Sequence, residues 1–214
     1  MSWTARSRKS HAHRRPRRGR PPRPPEEAEA RQRLIRAGLI HLTEKGYTAT
    51  GLDEILREAR VPKGSFYHYF DGKPAFGAAL IEAYHQYFAA RLDRFLTDDP
   101  CPPRPHRRLH RRRRRGMARH GFRRGCLVGN LGQEMGALPE DFRARLSAVL
   151  QDWQARTATC LRAAQTTGAP SQDPDQLAAF FWIGWEGAVL RAKLDRSAAP
   201  LHTFAQGFLA LLTP

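Results

Sequence analysis

Residues 175–196, DQLAAFFWIGWEGAVLRAKLDR, are apolar on nearly every face of a helix. Such a helix has to be covered on several sides by other helices, which puts the chain in the bundle class. The rest of the sequence supplies the cover. Phe142, Leu146, Val149/Leu150, Trp153, Thr157 and Cys160/Leu161 follow an i, i+4, i+7 rhythm over 140–161. Residues 26–47 carry one broad stripe from Ala30 through Leu34, Ala37 and Ile40, ended by Gly46. A short helix follows over 52–60, a third over 63–69 with Pro62 near its first turn, and a long one over 75–96 beyond Gly72 and Pro74. After the loop TTGAPSQDPD, Pro200 opens a last helix over 201–212. Two-residue alternation appears nowhere. The expected fold class is all-α.

Charge divides the chain further. At 214 residues there is room for one large domain or two small ones, and the net charge is +17. Residues 1–25 hold nine Arg or Lys and no acid, and residues 104–124 hold eleven Arg and no acid, so the remaining body is close to neutral. Two basic segments on a neutral body favour a polyanion, nucleic acid first. Residues 1–25 read as a disordered basic arm, and Arg18-Gly19-Arg20-Pro21 resembles the core of an AT-hook, with Arg18 and Arg20 placed for a narrow minor groove. A nonspecific phosphate-binding arm is the alternative. Residues 98–116 are Pro- and Arg-rich and break the pattern; they are either a genuine insertion or a frameshift-like replacement of a helix.

Other function classes are excluded or disfavoured. No run of 18 apolar residues exists and the N-terminus lacks an apolar signal core, so no membrane partner is expected and the location is cytoplasmic. The three cysteines, 101, 126 and 160, form no CxxC pair and no disulfide framework. No Ser/His/Asp set, metal-ligand spacing or Gly-rich phosphate loop is visible, so neither an enzyme nor a cofactor is expected.

The helices at 52–60 and 63–69 make a helix-turn-helix, in which the second helix enters the major groove of double-stranded DNA by its N-terminal end. Lys63, Gly64 and Ser65 suit that place, Tyr67 and His68 follow on the exposed side, Thr50 precedes the first helix of the pair, and Lys73 is placed to clamp a phosphate. Phe66 and Phe70, at i and i+4, point inward. The stretch TATGLDEILREARVPKGSFYHYFDGKPAF resembles the DNA-binding domain of the TetR family of transcriptional regulators, with Gly72 and Pro74 departing from its usual Ser and Glu. The resemblance implies a repressor acting as a homodimer on a palindromic operator. It also implies a division into the arm at 1–25, a DNA-binding domain at 26–73, and a helical ligand-sensing and dimerisation domain at 74–214. A nonspecific architectural nucleic-acid-binding protein, driven by the Arg-rich segments, is the alternative; it predicts steep salt dependence and little sequence preference.

One thiol stands out. RRGCLVGNLGQE places Cys126 beside Arg123 and Arg124 and ahead of a helix starting near Leu127, two features that favour thiolate. GCLVGNLGQE and WIGWEGAVLRAKLDRS are similar to the branch of the family with acrylate-responsive (AcuR-like) and electrophile-responsive (NemR-like) repressors. That likeness implies that Cys126 is a sensor and Lys193 its partner, and that the inducer is acrylate-like, a CoA thioester or an electrophile. Read from the residues alone, Cys126 is either reactive or a packed core residue, and Lys193 either reaches the surface or sits desolvated. Trp182, Trp185, Glu186, Asn130 and Glu134 are candidates to line a cavity between helices, with Arg119, Arg123 and Arg124 at hand for an anionic group.

Overall fold

A computed structural model describes residues 25–97, 116–166 and 171–212. Arg18, Arg20, the rest of the arm up to residue 24, and Cys101 with its neighbours at 98–115 lie outside the described residues. Among the described residues every regular element is helical: α1 (Pro25–Lys45), α2 (Leu52–Ala59), α3 (Lys63–Tyr69), α4 (Gly72–Thr97), α5 (Leu127–Gln133), α6 (Asp141–Gln165), α7 (Pro174–Leu194) and α8 (Ala199–Leu211). A helical stretch at 116–119 precedes α5, and a 3-10 turn, Met135–Ala137, follows it.

The boundaries follow from local chemistry. α1 stops at Gly46, whose φ of +86° suits a residue without a Cβ. α2 begins with Asp53 and Glu54 in its first turn, where acidic groups meet the positive end of the helix dipole. The turn into α3 is Arg60-Val61-Pro62: Arg60 is left-handed, Val61 is buried, and Pro62 caps α3 in an extended conformation. α4 starts earlier than the sequence predicts, at Gly72, because Pro74 falls in its first turn, where a missing N–H costs nothing. α7 opens on Asp173, whose side chain accepts from the Asp175 amide at 3.0 Å.

α1, α2 and α3 close on one another and on α4 around Phe66, which meets Phe70 at 5.4 Å and Phe76 at 5.3 Å between ring centroids. α1 and α4 approach closely at Gly38, where a Cβ would lie 2.7 Å from Leu80 and Phe76. The second body packs α4 on α6, α6 on α7 and α7 on α8. Trp153, Trp182 and Phe88 meet in its centre, and Phe181 and Trp185 stack towards Phe204 and Phe208. Phe142, Leu146, Val149, Trp153, Thr157 and Leu161 all face inward on α6.

Two expectations need correction. α7 is covered by α6 and α8 but keeps an open face, where Ile183 is 72% and Leu194 68% exposed beside Phe180 and Leu190. Cys160, on the inward seam of α6, is buried as its spacing predicts, but it is disulfide-bonded, against the expectation that the cysteines form no disulfide.

Candidate DNA interface and sensor site

α3 presents its N-terminal half outward. Lys63 and Gly64 are exposed, no atom lies within 4 Å of the space a Cβ on Gly64 would fill, and Ser65 is half-buried. Tyr67 is 55% exposed, His68 is exposed beside it, and Phe66 anchors the helix from beneath. Lys63 Nζ lies 3.8 Å from Asp53 across the turn of the motif, a distance at which two exposed charges hold each other weakly.

Two of the residues expected to touch DNA are engaged elsewhere. Thr50 is 1% exposed, and its hydroxyl donates to the Gly46 carbonyl at 2.6 Å, so it fixes the turn between α1 and α2. Lys73 lies with its Nζ 4.4 Å from the centre of the Tyr47 ring. Burial lowers its pKa from the ordinary value, and the Glu134 charge works the other way.

Cys126 is 3% exposed and immediately precedes α5. The Tyr84 hydroxyl donates to its sulfur at 3.6 Å. Two cavities meet near it. One, of about 270 Å³, is walled by Leu39, Thr43, Tyr84, Phe88 and Met117, with Arg91, Arg124 and the imidazole of His120 as its polar groups. Desolvation, then the charges of Arg124 and Arg119, hold His120 below the usual histidine range. The other cavity, of about 230 Å³, is lined by Cys126 itself, Gly129, Asn130, Glu186, Val189 and Lys193. The thiol therefore lines one cavity and, through Tyr84, touches a wall of the other.

The remaining candidates divide. Trp182 and Trp185 are each 1% exposed and belong to the core rather than to a cavity wall; Trp182 Nε1 donates to Thr157 Oγ1 at 3.0 Å. Arg119 and Arg123 are exposed and line neither cavity, while Arg124 is paired with Glu44 at 2.8 Å. That hydrogen bond is the main cause holding the Glu44 carboxyl below its ordinary value, against desolvation.

Lys193 is half-buried, and it bonds to α1: its Nζ donates to the Glu44 carbonyl at 2.9 Å. Burial lowers its pKa from the usual lysine value, with Glu44 and Glu134 pulling the other way. Asn130 Nδ2 donates to the carbonyls of Leu42 and Thr43 at 3.0 and 2.9 Å, and the Gly125 amide donates to Thr43 at 2.9 Å. Glu134 accepts from the amides of Tyr47 at 3.0 Å and Thr48 at 2.7 Å. Carbonyls at a helix C-terminus have no partners within the helix. Near the end of α1 the carbonyls of Leu42, Thr43 and Glu44 receive donors from sequence 80 to 150 residues away, Leu42 accepting also from the Gly46 amide, a set of contacts without local sequence signal. Tyr84, Arg91, His120 and Glu44 were likewise not singled out by the sequence, although Tyr87 and Arg91 at i, i+4 pair on the cavity wall.

Residues 34–80 match the family model for bacterial regulatory proteins of the tetR family, and residues 105–208 match the tetracyclin repressor-like C-terminal domain. The second match starts inside the Pro- and Arg-rich segment. The transcriptional regulator AcuR of Cereibacter sphaeroides is 62% identical over 197 residues, covering 91% of this chain and 90% of that protein. The chain belongs to the TetR family. It is thus a DNA-binding transcriptional regulator of the repressor type, with a helix-turn-helix head and a ligand-binding C-terminal domain.

Solved structures of TetR-family members agree. The regulatory protein TetR from Rhodobacter sphaeroides matches with a TM-score of 0.82 at 61% identity, over 86% of this chain and 99% of that one. The Escherichia coli HTH-type transcriptional repressor NemR is 32% identical over 179 residues, 82% of this chain and 90% of that protein. Its reduced form matches with a TM-score of 0.71, over 86% of this chain and 97% of that one. Among the described residues of this TetR-family chain, no helix is long and apolar enough to cross a membrane, and no group of three or more His, Cys, Asp or Glu is placed to hold a metal ion.

Proposed function

We propose that this regulator is a homodimeric repressor that reads a palindromic operator with α3 and is released when a small acrylate-like or electrophilic molecule reaches Cys126. The observation that carries the proposal is the position of the thiol: it lines one cavity, touches Tyr84 on the wall of the other, and immediately precedes the helix that holds the end of α1. Arg91 and Arg124 provide the larger cavity with cationic groups for a carboxylate, and His120 with a neutral hydrogen-bonding group, against a wall of Leu39, Phe88 and Met117. Cavities of about 270 and 230 Å³ fall below the range of about 300–1,000 Å³ usual for drug-sized ligands. Their size suits a small molecule, or the acyl end of a larger one such as a CoA thioester.

The chemistry balances without an oxidant. The thiol gives its proton to water, the sulfur adds to the β-carbon of an activated alkene, the new S–C bond replaces the alkene π bond, and the α-carbon takes up a proton from water.

The dimer rests on α7. Phe180, Ile183, Gly187, Leu190 and Leu194 lie at i, i+3, i+7, i+10 and i+14 on its open face, an apolar stripe that suits the same stripe of a second copy about a two-fold axis. A two-fold protein asks for a two-fold operator.

Fluorescence anisotropy on the DNA upstream of the regulator's own gene, with wild type and Cys126→Ser side by side, tests the proposal. Acrylate or N-ethylmaleimide should release the wild type and leave the serine variant bound. Release of both makes Cys126 a packing residue in a ligand-gated repressor, and specific binding that neither compound relieves removes this inducer class.

A further inference from the structure

The turn that joins α1 to the helix-turn-helix is held by its own short-range bonds and by four groups of the sensor body. Leu42, Thr43 and Glu44 offer carbonyls near the end of α1, and Asn130, Gly125 and Lys193 donate to them. Gly46 then turns the chain with a φ of +86°, and a Cβ there would overlap Glu134 Oε1. The next two amides, Tyr47 and Thr48, both donate to the Glu134 carboxylate. Thr50 closes the turn on the Gly46 carbonyl, and α2 starts two residues later. Tyr47, in turn, carries Lys73 over one ring face and meets Phe142 of α6 edge-on at 5.4 Å.

α5 connects this turn to the thiol. Cys126 precedes its first residue and Glu134 follows its last. At about 1.5 Å per residue, a helix this short transmits displacement as a rod about 10 Å long. Resting on the inducer reading above, we propose that Glu134 is the positioning residue through which occupancy beside Cys126 is delivered to the DNA-reading helices, with Asn130 and Lys193 holding the end of α1 so that the turn responds as a unit. Lys193 has a place at both ends of this route. It lines the cavity beside Cys126 and holds the Glu44 carbonyl, so a molecule that fills the cavity competes with α1 for the same ammonium. Glu134 lines neither of these two cavities. Its role is therefore separable from ligand binding.

The test is Glu134→Gln, which keeps the shape and removes the charge that two amides share, with Glu134→Asp as the conservative control. Three readouts are taken: operator affinity by anisotropy, acrylate affinity by calorimetry, and thermal midpoint. Coupling between sites in regulators of this kind amounts to about 5- to 150-fold in affinity. Glu134→Gln should bind operator within about 3-fold of wild type and acrylate with unaltered affinity, yet lose most of the wild-type release ratio, while Glu134→Asp retains part of it. Wild-type release in Glu134→Gln, or loss of acrylate binding by it, overturns the proposal. If acrylate and N-ethylmaleimide fail to release wild type, the inducer reading is what fails, and the joint is then read without ligand. Lys193→Met, a change on α7, should speed hydrogen exchange at the Tyr47 and Thr48 amides with Glu134 intact; unaltered exchange at both overturns the proposal independently.

Discussion

At the scale of single residues, hydrogen-bonding capacity decides more than side-chain type. Thr50 and Lys73 stand where a DNA-contacting residue would, and without DNA each has a partner inside the protein, the Gly46 carbonyl and the Tyr47 ring. Glu44 and Arg124 form a partly exposed pair across 80 residues of sequence, and the pair makes a pH-dependent contribution. The folded-state pKa of Glu44 is depressed below 4.5, so its stabilisation is present above about that pH and is lost as pH falls through the lower folded value. Glu44→Gln should therefore cost about 1 kcal/mol at pH 7, or about 2–4 °C in thermal midpoint for a chain of this size. The difference from wild type should shrink as pH falls below 4.5 and through the lower folded value, as followed by circular dichroism across a pH series.

At the scale of elements, the helices were legible because each carries its own period and its own stop. Gly46 ends α1, Pro62 starts α3, and the stripe of α6 reads directly from Phe142 to Leu161. The reading head was legible for the same reason, since α2 and α3 are local. The sensor was legible only in part. Cys126 and the start of α5 could be read from Gly-Cys-Leu, but the partners of Asn130, Glu134 and Lys193 lie 87, 87 and 149 residues distant, where no periodicity reaches. Hydropathy also gives burial without saying by what. Trp182 and Trp185 are covered by their own chain, whereas Ile183 and Leu194, on the same helix, are not. Ile183→Glu should place a charge in the apolar stripe, convert the protein to monomer in analytical ultracentrifugation, and weaken operator binding by at least 10-fold with little change in helix content. A dimer that persists in this variant would move the interface off α7.

At the scale of the whole molecule, charge and shape are divided between different parts. The basic arm at 1–25 carries nine cationic side chains outside the described residues, and the reading head is compact and mixed in charge. Phosphate contacts supply affinity without sequence preference, and each one contributes about 0.9 to the slope of log affinity against log salt. Removing residues 1–25 should weaken operator binding and flatten that slope, while the ratio of specific to nonspecific affinity stays within a few-fold. A slope that does not change on deletion rules the arm out as a DNA contact.

The sharing of α1 between the two bodies carries a consequence for how such regulators diversify. A helix whose Leu42, Thr43 and Glu44 carbonyls receive bonds from Asn130, Gly125 and Lys193 is not a self-contained cassette. A reading head transplanted onto another relative's sensor arrives with a frayed end unless these residues travel with it. A chimera that exchanges both sides of this seam together should therefore keep a higher thermal midpoint than one that exchanges the reading head alone.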